Sequence, residues 1–405
     1  MTFKELGLHD DVLDSLNAMG FEKPTPIQEQ AIPIILSNKD IIGCAQTGTG
    51  KTAAFLLPVL DKICQQGTND EEINTLIICP TRELALQIDQ QIEGFSYFTG
   101  VSSIPIYGGG SGESFGTEKR ALSTGVNIVV GTPGKIISHL NLGYVKVDNL
   151  QHLILDEADR MLDMGFLDDI NKIISFLPEK RQNLLFSATM PPKIRTLSKE
   201  ILTDPEEVNI SISKPAEKVV QVAFCAYDNQ KVQLVQHLLR FNDIPSLIIF
   251  ASTKQKVREL TQALRKSNMN AAGISSDLEQ MEREKLLNEF KHRKLQILVA
   301  TDVISRGIDI DNIDMVVNYD VPNDPEDYIH RIGRTARASS EGEAVTFINE
   351  DDQDKFARIE KMIEKEVRKI PLPEHLGSGP TYAPRTKGKR KINKRSRNFT
   401  KPRKR

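Results

Sequence analysis

The residue types best suited to chemistry in this sequence begin with a glycine-rich stretch. It reads Ala45-Gln46-Thr47-Gly48-Thr49-Gly50-Lys51-Thr52 and follows the apolar run Ile41–Cys44. Glycines let backbone N–H groups converge on phosphate oxygens, and the N-terminus of a following helix adds positive potential. We expect Lys51 to reach the β- and γ-phosphates of a nucleotide and the Thr52 hydroxyl to hold Mg²⁺. Ala45 occupies the place of the pattern's first glycine, but the strand–loop–helix context supports the same interpretation.

A pair of carboxylates stands at the end of another apolar run, Leu153–Leu155. In open parallel sheets, ligands gather at the carboxyl ends of the strands. Asp156 is therefore placed to hold Mg²⁺ through water, and Glu157 to orient and deprotonate an attacking water. By itself, an acid cluster at a strand end is often just a solvated turn. The phosphate-binding pattern upstream favours a catalytic role.

The second half of the sequence carries a cluster of arginines within the stretch His330-Arg331-Ile332-Gly333-Arg334-Thr335-Ala336-Arg337. The planar guanidinium suits the charge on a departing γ-phosphate, and an arginine in this role is worth ~10³–10⁵ in rate. A surface ion-pair cluster is the alternative for an isolated basic stretch. Because these arginines lie far along the chain from the phosphate loop, we expect a site that is completed only when two domains close.

These side chains need a scaffold, and the sequence alternates short β-branched runs with helix-like segments. One such segment has Leu84, Ile88 and Ile92 spaced four residues apart. The alternation predicts an α/β fold of parallel sheets with helices on both faces. The predicted strands are Ile41–Cys44, Leu76–Cys79, Ile128–Val130, Leu153–Leu155, Leu184–Phe186, Leu247–Phe250, Ile297–Val299 and Met315–Val317.

The strand pattern restarts in the second half, which predicts two similar domains. We place the first domain at 1–207, a linker at 208–217, the second domain at 218–370 and a disordered basic tail at 371–405. A charged helix is predicted over 352–369, and prolines and glycines follow it.

Charge and cysteine content bound the possible functions. The 405 residues carry a net charge of −2, but 12 basic and no acidic residues lie within 385–405, which leaves an excess of 14 acidic charges elsewhere. Dense basic blocks are typical of disordered tails that contact nucleic acid, and a tail that is merely solvated is the alternative. Four scattered cysteines and a start unlike a signal peptide favour a reducing cytoplasm. No apolar run reaches the ~18 residues of a membrane span.

Asp156-Glu157-Ala158-Asp159 spells the name of the DEAD-box RNA helicases, and the sequence resembles this family from about Thr2 to Lys369. The resemblance implies two tandem RecA-like domains that use ATP. Phe3, Gly20-Phe21 and Pro24-Thr25-Pro26-Ile27-Gln28 look like the family's Q motif. By resemblance, Gln28 reads the adenine edge, Phe21 packs on the ring, and the stretch from Ala45 to Thr52 binds the phosphates.

Further motifs follow in the family's order. The resemblance assigns RNA contacts to Pro80, Thr81, Arg82, Gly109, Thr132, Gly134, Lys135, Arg283 and Thr301. It assigns coupling of hydrolysis to strand separation to Ser187 and Thr189, bonded to Asp159 and His330. Gly307 and Asp309 lie in the segment that touches the ATP ribose, and Arg334 and Arg337 match the arginines aimed at the γ-phosphate.

The sequence departs from the family pattern at two positions. Lys135 replaces the usual arginine, so that a bidentate phosphate contact becomes a point charge. Ala336 replaces a usual glycine, which is acceptable where φ is negative. Neither change removes a group needed for hydrolysis.

The resemblance implies an RNA-stimulated ATP hydrolase that unwinds or remodels structured RNA locally and non-processively, in ribosome assembly or RNA decay. The basic tail favours an RhlE-like bacterial subgroup, with Tyr382 and Phe399 available to stack on bases. Two alternatives remain: a DNA-dependent motor of related fold, and a passive RNA chaperone whose ATP site is vestigial.

Overall fold

A computed structural model describes residues 1–46, 48–67, 72–109, 112–210, 219–241, 244–275, 277–278, 280–301, 313–335 and 342–384 of the chain. They form two units, one built mainly from residues 1–216 and the other mainly from residues 217–405. Within the described residues, no helix is both long enough and apolar enough to cross a bilayer.

The first unit is organised around a parallel sheet. Its strands are β1 (Ile41–Cys44), β2 (Thr75–Ile78), β3 (Ser103–Ile106), β4 (Ile128–Gly131), β5 (His152–Leu155), β6 (Gln182–Ser187) and β7 (Glu206–Asn209). They lie in the order β3-β4-β2-β5-β6-β1-β7, and every neighbouring pair is parallel. Ile41 packs in one hydrophobic cluster and Ile42 in the other. The sheet is thus buried on both faces, which explains the unbroken apolar runs of its central strands.

Helices cover this sheet. They are α1 (Asp10–Ala18), α2 (Pro26–Leu36), α3 (Lys51–Gln66), α4 (Arg82–Phe95), α5 (Gly112–Thr124), α6 (Pro133–Leu140), α7 (Ala158–Asp163), α8 (Leu167–Ile174) and α9 (Pro192–Ile201). Helix α4 begins where the Thr81 hydroxyl accepts a hydrogen bond from the Leu84 N–H at 3.4 Å, which satisfies one free donor of the first turn. Ile88 and Ile92 are buried on the same face, as their spacing predicts.

A second sheet follows the same plan. Its strands are β8 (Val219–Cys225), β9 (Leu247–Phe250), β10 (Ala271–Ile274), β11 (Ile297–Ala300), β12 (Met315–Asn318), β13 (Gly342–Ile348) and β14 (Arg368–Ile370), and the helices are α10 (Asp228–Phe241), α11 (Lys254–Lys266), α12 (Gln280–Lys291), α13 (Pro325–Ile332) and α14 (Gln353–Ile363). The strand order is β10-β11-β9-β12-β13-β8-β14. This is the order of the first sheet with each strand replaced by its counterpart, so the prediction of two similar α/β domains is confirmed.

Each predicted strand lies within an observed strand or extends it by one residue. The structure corrects two boundaries. The first sheet continues to Asn209, because Val208 is buried and β7 pairs with β1, so the predicted linker does not begin at 208. The helix predicted over 352–369 ends at Ile363, where Glu364 takes a φ of 52°, and the chain then enters β14.

A third correction concerns the start of the tail. Residues 371–384, which we call the strap, lie against the second unit and are not part of a disordered segment. Gln230 Nε2 donates to the Leu376 carbonyl at 2.8 Å, and Gln353 Nε2 donates to the Thr381 carbonyl at 2.9 Å. The Tyr382 hydroxyl donates to Glu360 Oε2 at 2.7 Å, beneath the Lys369 ammonium. The Tyr382 side chain is therefore packed within the second unit. Residues 385–405 lie outside the described residues.

We predict that the strap stabilises the second unit, whereas the residues after it do not. A chain ending at Ile370 loses the buried Leu376, worth about 1.5–3 kcal/mol, together with the Tyr382–Glu360 bond. Thermal unfolding should show a midpoint lowered by roughly 5 °C or more. A chain ending at Pro384 is the matched control and should unfold like the full chain. Equal midpoints for both truncations would contradict the assignment.

Candidate active site and nucleic-acid interface

The strand order places the predicted site residues of the first unit along one edge of its sheet. The phosphate loop follows β1, the carboxylates follow β5, and Ser187 ends β6. These three strands are neighbours in the sheet. Because all strands are parallel, their carboxyl ends meet at the same edge, where ligands of such sheets bind.

Two glycines of the phosphate loop take backbone conformations that favour glycine. Gly48 and Gly50 have φ angles of 82° and 90°, values that side-chain-bearing residues rarely adopt. A Cβ on Gly50 would also come within 2.4 Å of Gln28 Nε2. The buried Ala45 extends the pairing of β1 with β6 through a 3.0 Å bond from its N–H to the Ser187 carbonyl.

The other residues of the loop prepare the start of α3. Thr49 Oγ1 donates to the Gln46 carbonyl at 2.7 Å and closes the turn. Lys51 and Thr52 form the first turn of α3, and Thr52 is half-buried. Thr47 lies outside the described residues.

The ammonium group of Lys51 is buried without a hydrogen-bond acceptor among the described residues. Its side chain is only 6% exposed, and Nζ has no hydrogen-bond partner among the described residues. A buried ammonium is costly unless it is paired. The phosphates of a nucleotide would supply the missing acceptors, so the loop fits the predicted ligand.

The predicted adenine-binding segment is fastened to this loop. Gln28 is 1% exposed, its Nε2 donates to the Gly50 carbonyl at 3.0 Å, and its Oε1 accepts from the Thr25 N–H at 2.9 Å. A second amide hydrogen and a second lone pair remain for a base edge. Phe21 is half-buried and meets the Phe95 ring edge-on at 5.4 Å between centroids.

The carboxylates lie at the end of β5 in unusual surroundings. Asp156 is buried, and its Oδ1 accepts from the Glu157 N–H at 2.9 Å. Burial raises the pKa of Asp156 to about 6, against the opposing effect of the Lys51 charge. A buried carboxylate of this kind suits a divalent cation, which stabilises the charged form. Glu157 has a φ of 51° and a ψ of 48°, a strained conformation for a residue with a side chain.

The predicted coupling segment is tied to the acid cluster. Asp159 Oδ2 accepts hydrogen bonds from the Thr189 N–H at 3.0 Å and the Thr189 hydroxyl at 2.9 Å. The Ser187 hydroxyl donates to the Thr189 carbonyl at 2.7 Å. The first unit therefore contains the expected Asp159–Thr189 bond. His330 lies in the last turn of α13, and its bond to this segment stays a prediction.

The predicted RNA-contacting residues of the first unit occupy the other half of the same edge. Pro80, Thr81 and Arg82 follow β2, Gly109 comes after β3, and Thr132, Gly134 and Lys135 come after β4. Strands β3, β4 and β2 are neighbours. Gly109 has a φ of 89°, and a Cβ there would come within 2.2 Å of Arg82 Nη1. The glycine thus gives the guanidinium room.

Lys135 is engaged in a contact that sequence reasoning missed. Its Nζ lies 2.8 Å from Glu118 Oε2 and 5.0 Å from the centre of the Phe115 ring, and its side chain is 15% exposed. Nε2 of the buried His139 lies 3.1 Å from the same carboxylate oxygen. This cluster joins α5 to α6, and no pattern in the sequence marks Glu118 as its centre.

In the second half of the chain, only part of the predicted site can be placed. Arg283 lies in the first turn of α12, Thr301 follows β11, and Arg334 follows α13. Gly307, Asp309 and Arg337 lie outside the described residues, as does Ala336. Arg331, the first arginine of the predicted cluster, is buried and donates from Nη1 to Asn318 Oδ1 at 3.1 Å and to the Asp320 carbonyl at 2.8 Å. Its described contacts are structural.

Comparison with known families agrees with this arrangement. The sequence pattern of the DEAD/DEAH box helicases matches residues 25–197, and that of the helicase conserved C-terminal domain matches residues 230–339. The ATP-dependent RNA helicase CshA of Listeria monocytogenes is 43% identical over 92% of this chain and 70% of its own length. CshA of Bacillus subtilis is 41% identical over 92% of this chain and 74% of its own length.

Solved structures show the same fold. Saccharomyces cerevisiae Dbp5 bound to RNA and ADP BeF3 matches with a TM-score of 0.80 and 31% identity, covering 91% of this chain and 95% of that one. Mss116p bound to single-stranded RNA and AMP-PNP matches with a TM-score of 0.80 and 29% identity, covering 93% of this chain and 81% of that one. The two units are therefore tandem RecA-like domains.

Both of these bacterial relatives carry the name CshA, so they give no support to the expected RhlE-like subgroup. The family itself is shown, because one relative shares 43% identity across nearly the whole chain and two helicase patterns match in order. This chain belongs to the DEAD-box family of ATP-dependent RNA helicases.

Proposed function

We propose that this chain hydrolyses ATP to unwind or remodel structured RNA locally, without moving processively along it. The observation that carries the proposal is the buried Lys51 ammonium, which has no hydrogen-bond partner among the described residues. It requires an anionic ligand, and the adjoining half of the same sheet edge presents the predicted RNA contacts. The four scattered cysteines, which include no C-x-x-C pair, support action in a reducing cytoplasm.

Each group near the loop has a distinct role in hydrolysis. Lys51 neutralises charge on the terminal phosphates, and Gln28 selects adenine. Glu157 orients the attacking water and takes its proton. Arg334 and Arg337 of the second domain stay predicted contacts to the γ-phosphate.

Thr52 and Asp156 would hold Mg²⁺, and the raised pKa of the buried Asp156 carboxyl supports a cation at that position. Bound there, the ion supplies positive charge that offsets the phosphate oxygens during transfer. A cation bound there would stabilise the ionised form of the Asp156 carboxyl.

The predicted RNA contacts favour recognition of the sugar–phosphate chain. They are small residues, backbone groups and a few cationic side chains, with few groups suited to reading base edges. The Asp159–Thr189 bond joins the acid cluster of the ATP site to the segment after β6. Through this bond, ATP hydrolysis is coupled to the separation of RNA strands. Relatives of this fold have been solved with RNA bound.

The test of the function is the ATPase rate of the full chain with different nucleic acids. We expect strong stimulation by single-stranded RNA and little by single-stranded or duplex DNA of the same sequence, because the 2′-hydroxyl distinguishes the two. Equal stimulation by DNA would instead support a DNA-dependent motor. Absence of turnover with every nucleic acid would support a passive RNA chaperone.

The role of Glu157 is tested by Glu157→Gln. The amide keeps the size of the side chain but cannot accept a proton, so we expect a loss of turnover of a hundredfold or more, on the order of a lost general base. ATP and RNA binding should persist. Glu200→Gln, which removes an exposed carboxylate of the same domain, is the control and should hydrolyse normally. Phosphate release at the wild-type rate by Glu157→Gln would refute the assignment.

The basic residues 385–405 should raise RNA affinity through counterion release. We expect truncation after Pro384 to increase the RNA concentration needed for half-maximal ATPase and to leave the maximal rate nearly unchanged. The difference from the full chain should shrink as salt rises. An unchanged RNA requirement at low salt would show that the tail is merely solvated.

A further inference from the structure

A buried arginine lies directly beside the proposed general base. Arg160 is on the first turn of α7, three residues after Glu157, and is only 4% exposed. Its Nη1 lies 3.1 Å from Glu157 Oε2. Its backbone N–H donates to Asp159 Oδ1 at 3.0 Å. The family resemblance assigns roles to Asp156, Glu157 and Asp159 but none to Arg160.

Glu157 is held at both of its ends. Its backbone takes the left-handed conformation, and its N–H donates to Asp156 Oδ1. This fixes the direction in which the side chain leaves the chain, but several rotatable bonds remain before the carboxylate. The guanidinium of Arg160 removes that freedom by binding Oε2.

The two carboxylate oxygens therefore have different surroundings. Oε2 accepts from Arg160, whereas Oε1 accepts no hydrogen bond among the described residues. A general base must present an oxygen within hydrogen-bond reach of the proton that it takes. A carboxylate that rotated freely would spend part of its time turned away from that proton.

We propose that Arg160 is a positioning residue that anchors Glu157 through Oε2, so that Oε1 receives the proton of the attacking water. The inference rests on the proposed ATP hydrolysis. In the step concerned, the water oxygen bonds to the γ-phosphorus and the bond from that phosphorus to the bridging oxygen breaks. ADP leaves with the electron pair, and the water proton passes to Oε1.

The main test compares Arg160→Met and Arg160→Lys in the full chain with RNA present. Loss of the anchor should lower kcat by roughly 10- to 100-fold, within the range of general-base effects, with the KM for ATP changed by no more than about twofold. Arg160→Lys keeps a cation near Oε2 and should recover part of kcat. Arg195→Met, at an exposed arginine of the same domain with a long ion pair to Glu207, is the control and should retain kcat.

A double-mutant comparison separates positioning from general support of the fold. In the Glu157→Gln background the base is absent, so adding Arg160→Met should change the residual single-turnover rate by less than about twofold. A loss as large as in the wild-type background would overturn the proposal, as would an unchanged kcat for Arg160→Met.

If Arg160→Met does not fold, Arg160→Lys decides: a lowered kcat at unchanged KM for ATP supports the proposal, and a wild-type kcat overturns it. Absence of RNA-stimulated hydrolysis in the wild-type chain would instead defeat the proposed function.

Discussion

The placement of β5, β6 and β1 side by side in a parallel sheet is the constraint on which the site depends. Each strand ends at the same edge, so three segments distant in sequence deliver a lysine, two carboxylates and a hydroxyl to one place. Lys51 and Asp156 are themselves buried at this edge. There a charge such as that of Lys51, unpaired within the described residues, is costly without a ligand. The burial of Lys51 within the folded unit thus favours binding of a phosphate group.

The same strand order divides the edge into two functional halves. Strands β3, β4 and β2 carry the proposed RNA contacts, while β5, β6 and β1 carry the nucleotide site. Strands β2 and β5 are direct neighbours, so the halves adjoin within a single rigid sheet. The second sheet repeats this order, but Ala226, Tyr227 and Asp228 follow β8 in place of a glycine-rich loop. Of the two strands that correspond in the two sheets, β1 and β8, only β1 is followed by a glycine-rich turn in the described residues.

Much of this arrangement could be predicted from local patterns. Eight strands centre on short apolar runs, and the phosphate loop and acid cluster have fixed spacing, so sequence alone located them. Local patterns did not reveal strands β3, β7, β8, β10, β13 and β14, because these mix polar, small or exposed residues with apolar ones. Predicting these strands requires knowing which neighbour they pair with, and that information is not local.

The missed site residues share a similar cause. Glu118 binds Lys135 across two helices, and Arg331 is satisfied by groups on and after β12. Both contacts depend on tertiary packing. Arg160 is close to Glu157 in sequence, but only its burial and the left-handed backbone of Glu157 make it stand out from ordinary charges on a helix surface.

The strap has a consequence for how the protein behaves among other chains. Strand β14 is short and pairs with only Val222–Phe224 of β8. Beyond it, Gly379 lies so close to the Cys225 carbonyl that a Cβ would come within 1.9 Å. The strap therefore lies against the end of β8, beyond its pairing with β14. Unpaired strand backbone is a template for pairing with a second molecule, and this stretch of β8 already has the strap as its neighbour.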